Sequence, residues 1–140
     1  MIDLARKSIR ITEPFLTIAG ETAPSPGITL IRGSLEIQSH DVIVRHIRVR
    51  AGRDGEPGKS GWEVDGITCW KAYDVIVDHC STSWATDENL SASGPRFEGG
   101  EDPAKWRDGT SHRITFSNNI VAEGLSNAEP REGRALEGAA

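Results

Sequence analysis

Three segments of the chain break the alternation of a β-strand at the same place. In a strand, successive side chains face opposite sides, so buried residues recur every second position. Val42 and Val44 keep that rhythm, but the next apolar pair, Ile47 and Val49, has the opposite parity. The second segment repeats the slip with Val75 and Val77, then Cys80 and Thr82. The third repeats it with Ile114 and Phe116, then Asn119 and Val121. Each time two polar residues intervene: Arg45-His46, Asp78-His79 and Ser117-Asn118. A straight strand with this pattern would turn half its buried set to water. Two short strands joined by a tight corner would not.

The copies also align with one another. HDVIVRHIRV (40–49) falls on YDVIVDHCST (73–82), and RITFSNNIVA (113–122) falls on DVIVDHCSTS (74–83). Repeats that cannot each bury their own face, stacked so that neighbours bury it for them, define a solenoid. The expected fold is therefore all-β, a parallel β-helix. Upstream, FLTIAG (15–20), ITLIRG (28–33) and LEIQ (35–38) fit further short strands, with PSPG as a turn. No segment sustains a 3.6-residue period, so very little helix is expected. Cys80 and Asn119 share one inward position of successive turns, where a buried amide must bond neighbouring backbone.

At 140 residues the chain suits one domain over 1–140. GRDGEPGKSGW (52–62) and the Gly, Pro and charge-rich 93–111 read as inserted loops leaving one side of the coil, and 128–140 as an irregular tail. A net charge of −5 argues against nucleic acid, which is normally met by a basic surface. No apolar run is long enough to span a membrane, and MIDLARKSIRIT lacks the apolar core of an export signal. Cys69 and Cys80 lie in no metal-binding spacing and read as two buried thiols.

The acidic residues separate into sets. Asp41 and Asp74 stand before matching strands and read as turn formers. Asp78 and His79 occupy a corner and read as structural. His40, His46 and His112 look scattered along strand edges. Glu63 and Asp65 stand two apart at the start of a strand, so both side chains are expected on one face, and Asp87 and Glu88 follow on what should be the adjacent turn. Stacked turns are about 4.8 Å apart, and carboxylates that close repel unless a proton or cation lies between them. Oxygen donors without His or Cys suit a hard cation, Ca²⁺ before Mg²⁺. The alternative at this point is a solvated acidic loop.

The run RITEPFLTIAGETAPSPGITLIRG, SHDVIVRHIRVRAG, DGITCWKAYDVIVDHCSTSWATDENLS and ITFSNNIVAEGL resembles the pectate lyases whose fold is a right-handed parallel β-helix. The resemblance spans roughly residues 8 to 127, and the corner plus acidic step in DVIVDHCSTSWATDE is its most specific part. It implies calcium-dependent β-elimination of polygalacturonate by a secreted, monomeric enzyme, with the metal bridging protein and uronate carboxylates. The family's first acidic pair falls on Glu63 and Asp65, and the first member of its second pair on Asp87. The other member falls on Ser91, which is no acid; Glu88 stands nearby, but an adjacent strand residue should point away. The family's supporting Lys aligns with Arg131, the one candidate here for a catalytic residue. Its Arg-rich strand bearing the base has no match, and the coil is expected to be incomplete at both ends. A non-catalytic β-helix that binds acidic glycan through calcium, or an inactive fragment, stays open beside the lyase.

Overall fold

The computed structural model describes residues 1–52, 63–94 and 102–125. They form eleven strands: β1 (Ile2–Ile11), β2 (Leu16–Ala19), β3 (Ile28–Ile37), β4 (His40–Arg45), β5 (Ile47–Arg50), β6 (Ile67–Trp70), β7 (Tyr73–Asp78), β8 (Ser81–Ser83), β9 (Leu90–Ser93), β10 (His112–Ser117) and β11 (Ile120–Ala122). Every pairing between them is parallel. The chain is a parallel β-helix with three faces.

The first face stacks β2, β4, β7 and β10. The second stacks the front half of β3 with β5, β8 and β11, and the third stacks the back half of β3 with β6 and β9. Strand β1 adds a layer beneath both halves of β3. Register follows the sequence repeats: His40 pairs with Tyr73, Tyr73 with His112, and Val49 with Thr82.

The parity slip has a single-residue cause. His46, His79 and Asn118 each sit at positive φ, 54°, 51° and 51°, the left-handed conformation open to Asn, Asp and His more than to most residues. One such residue turns the chain from the first face to the second and resets which parity points inward. Val42, Val44, Val49, Val75 and Val77 are buried on the two sides of it. The corner is then tied across turns. Asn119 accepts from the Cys80 backbone N–H at 2.8 Å and donates to the Val77 carbonyl at 2.9 Å, the amide pairing expected of that position. Asp78 accepts from Ser117 Oγ (2.6 Å) and Asn118 Nδ2 (3.0 Å) and bonds His79 Nδ1 (2.7 Å). These hydrogen bonds hold its carboxyl well below the usual range. Asp78 and His79 are structural, as their sequence position suggests.

The first-face strands β4, β7 and β10 repeat the device at their second residue. Asp41, Asp74 and Arg113 share a φ of 53°, and Arg113 grips Asp74 through two bonds of 2.6 and 2.7 Å. His40 and His112 are not scattered. Both stack on Tyr73, with ring centroids 4.5 and 5.2 Å away, and His46 stacks on His79 at 4.8 Å. Both thiols are free and buried, and burial pushes the Cys69 thiol up to about 12.

Two differences concern the insertions. The first leaves after β5 and rejoins at β6, between second and third faces, while the second leaves after β9 and rejoins at β10, between third and first. They flank the third face on opposite edges rather than sharing one side. Most of 52–62, and 95–101 within the second, lie outside the described residues, as does 128–140. The second insertion also holds a short helix, α1 (Pro103–Gly109), with Pro103 in its first turn and the Asp102 side chain accepting from the Ala104 N–H. Among the described residues the other helical element is a 3-10 turn, Gly20–Thr22. No described helix is long and apolar enough to cross a membrane.

Candidate functional site

The corner between second and third faces changes along the coil. In the turn containing β3 it is one residue, Arg32, at φ 55°. One turn on, residues 51–66 fill it, and in the turn after that residues 84–89 do. The strands on either side stay paired, and the described residues 63–66 and 84–89 lie between strands rather than within them.

Residues 63–65 and 86–89 are laced together there. Val64 donates to Thr86 Oγ1 (2.8 Å), Thr86 returns a backbone bond to the Val64 carbonyl (3.0 Å), and the Gly66 N–H bonds the Glu88 carbonyl (2.9 Å). Gly66 is held to glycine by this approach: a Cβ there would come within 2.3 Å of the Asn89 carbonyl oxygen. Asn89 in turn accepts from the Ala85 N–H (3.0 Å) and donates to the Ala122 carbonyl (3.3 Å). Beneath these segments Ala51, Val64 and Ala85 pack as a small apolar cluster of their own.

This lacing brings Asp65, Asp87 and Glu88 together, each offering a carboxylate oxygen within 4.8 Å of the others. Asp65 is half-buried, while Asp87 and Glu88 are exposed. Glu63 is not one of the group. It was expected to share a strand face with Asp65, but residues 63–65 precede β6 and are not strand. Glu88 was expected to point away from Asp87, as strand neighbours do. The backbone bends at Thr86–Asp87, so strand alternation does not apply and both acids reach the group. Ser91 is strand, and its hydroxyl lies 2.9 Å from that of Thr68. Arg131 lies outside the described residues.

The electrostatics are those of a cluster short of positive charge. Burial, then repulsion from Glu88, Asp87 and Glu36, pushes the Asp65 carboxyl up to about 6, against one hydrogen bond from the Glu88 N–H. The donor set fits a hard, oxygen-seeking cation, because three carboxylates converge with no His or Cys among them.

A pH dependence follows. An acid whose folded-state pKa lies above its unfolded value, here about 6 against 3.8, favours folding most when protonated. In chelator, the urea midpoint of the chain should therefore fall as pH rises from about 4 to above 6. Asp65→Asn should flatten that segment of the profile, since the amide keeps the shape without the charge. An unchanged slope in the variant would assign the effect to another group.

The signals for Thr86, Gly66 and Asn89 were present in EVDGI and ATDENLS as small and polar residues around the acids, but the partners that tie them to neighbouring turns lie 22 to 33 positions away, beyond what local spacing conveys.

No family model matches the chain, and no solved structure gives a significant match. Curated proteins do. A protein named probable pectate lyase C from Emericella nidulans is 40% identical over 111 residues, which is 79% of this chain and 22% of that protein. Its namesake in Aspergillus terreus is 38% identical, and that of Aspergillus fumigatus 34%, over the same shares. The chain thus spans about a fifth of the length of the curated relatives it matches.

Proposed function

We propose that this chain, a member of the pectate lyase family, acts on polygalacturonate by calcium-dependent β-elimination. The observation that carries the reading is the convergence of Asp65, Asp87 and Glu88 inside the segment shared with proteins of that name.

The chain's residues have separable tasks in this reading. Asp65, fixed by the Glu88 N–H and by the Val64–Thr86 bonds, is the rigid ligand. Asp87 and Glu88, exposed on the bend, supply the adjustable ones. Asp65, Asp87 and Glu88 would hold Ca²⁺, and the chemistry it would supply is Lewis acidity that makes the proton beside a uronate carboxylate easier to remove. An acidic protein and an acidic polymer would otherwise repel, and a divalent ion inverts that local charge. Elimination then needs a base within hydrogen-bond reach, about 3 Å, of that proton. Its removal leaves a carbon–carbon double bond while the glycosidic oxygen departs. The family's base-bearing strand has no match in this chain, and Arg131, aligned with the supporting Lys, is the first residue within it to test for that role.

A second reading is a calcium-dependent binder of acidic glycan without lyase action. Ser91 favours it, because a hydroxyl held by Thr68 stands where the family pattern has a carboxylate, and the cage has one charged oxygen donor fewer there.

The deciding experiment mixes the chain with polygalacturonate and follows the ultraviolet absorbance of unsaturated uronide, with calcium and then with chelator. Product formed only with calcium, and lost in Arg131→Ala, is expected of the lyase. Polymer bound in calcium without product would establish the binding reading instead.

A further inference from the structure

The geometry points to a second contact for an acidic sugar chain, formed by Arg48, Arg50 and Trp84 on the outer surface of the second face. It rests on the reading above and deepens it, adding a strip that holds uronate without the metal.

Arg48 and Arg50 lie two apart on β5, and Ile47 and Val49 between and beside them are buried. Both guanidinium groups therefore face outward from the same side. Their partners are neutral. Arg48 Nη1 donates to the Pro26 carbonyl (2.6 Å), and Arg50 donates to the carbonyls of Val49 (3.0 Å) and Ser81 (2.9 Å) and to Ser81 Oγ (2.8 Å). Elsewhere on the coil Arg10, Arg32, Arg45 and Arg113 are each matched by a carboxylate. Among the described residues no acid pairs with Arg48 or Arg50. In a chain of net charge −5, these two cations are oriented but, among the described residues, not neutralised. Each guanidinium has five donors, and the ones left over form the planar fork that suits a carboxylate.

Trp84 extends the strip. It is 43% exposed, and its indole N–H bonds Glu123 Oε2 at 2.7 Å. The Arg50 guanidinium carbon lies 5.9 Å from the ring centre. A ring held in this way is an amphipathic surface for the C–H face of a sugar.

The strip leads to the acidic group. Ala51, Val64 and Ala85, which pack together, are the chain neighbours of Arg50, Asp65 and Trp84. The Gly52 N–H bonds the Trp84 carbonyl at 2.8 Å. Trp84 stands three residues before Asp87, which sets their Cα atoms no more than roughly 11 Å apart. The ligand that fits is a polymer offering carboxylates at intervals along stackable rings: one carboxylate at the cation site, the next sugars on Trp84 and the arginines.

The test is affinity electrophoresis of the whole chain through gels containing polygalacturonate, in calcium and in chelator. Fully methyl-esterified polygalacturonate and dextran sulfate serve as comparators. Arg48→Gln and Arg50→Gln should each weaken binding of polygalacturonate by about tenfold, in chelator as well as calcium, and leave the calcium-induced rise in melting temperature unchanged. Trp84→Ala should weaken polygalacturonate but not dextran sulfate. Arg48 is exposed and, among the described residues, makes a single hydrogen bond, so its variant remains informative if the Arg50 variant fails to fold. Wild-type affinity in both arginine variants, with calcium-dependent binding intact, would overturn the strip and leave the lyase reading standing. Equal losses on both polyanions, with no effect of Trp84→Ala, would reduce it to a non-specific charge patch and overturn it too. No retardation by polygalacturonate in either condition would overturn the lyase reading itself.

Discussion

Val77→Asp should abolish the cooperative unfolding transition of this chain, while Ile76→Asp one position earlier should leave it folded. Val77 is fully buried, packed between Val44 and the next turn, whereas Ile76 points outward at 39% exposure. A carboxylate at position 77 would have no partner and no water. Burying such a charge costs several kcal/mol, against a total stability of about 5–15 kcal/mol for a domain of ordinary size. The paired variants make circular dichroism melting a test of the parity argument itself. Two melts that resemble each other would contradict the assignment of inward faces on which the coil rests.

The second large effect concerns calcium. Asp65→Ala should remove any rise in melting temperature on adding calcium, and Asp41→Ala should not. A ligand that binds only the folded state at a hundred times its dissociation constant stabilises by about 2.7 kcal/mol. For a chain of this size that corresponds to a shift of several degrees. Asp65 is the half-buried member of the acidic group, so its removal takes away the ligand whose position is most firmly set. Asp41 is the second residue of β4, at positive φ and bonded to His40. A full calcium shift surviving in the Asp65 variant would move the cation elsewhere.

How much of this was legible in the sequence differs by element. The corner between first and second faces was readable because one left-handed residue leaves a one-to-one mark on the hydrophobic pattern, at His46, His79 and Asn118. The strands on the third face were less so. Strand β9 sets Leu90 and Ala92 in register with Ile67 and Cys69, but Leu90 is only partly buried and Ala92 is exposed, too faint an alternation to stand out. Strand β1 has Ile9 and Ile11 at strand spacing, yet no second copy of its turn invites comparison. The stacks of His40 and His112 on Tyr73 were implied by the repeat offsets, since those offsets align the three positions, and were missed by reading each histidine alone.

The acidic site was half legible. Adjacent placement of Asp65 with Asp87 followed from turn length. The inclusion of Glu88 depended on a bend, and the exclusion of Glu63 on where β6 begins; neither is encoded in the spacing of the acids. Arg48 and Arg50 looked like ordinary outward residues of a strand. What sets them apart is the neutral character of their partners, and partners are visible only once the turns are stacked.

The narrow base of the second insertion carries a consequence for how such a chain can diversify. Gly94 approaches Gly109 so closely that a Cβ would meet its carbonyl oxygen at 2.4 Å. Ser111 then pins the return, bonding the carbonyls of Cys69 (3.0 Å) and Ser93 (2.7 Å). The described ends of this insertion thus meet at a narrow neck on the coil. Residues can be gained or lost there over generations without a single strand changing its neighbour. Novelty at the rim of the third face is thereby uncoupled from the arithmetic of the core, and descendants of one scaffold are free to differ most in the very places where a ligand would meet them.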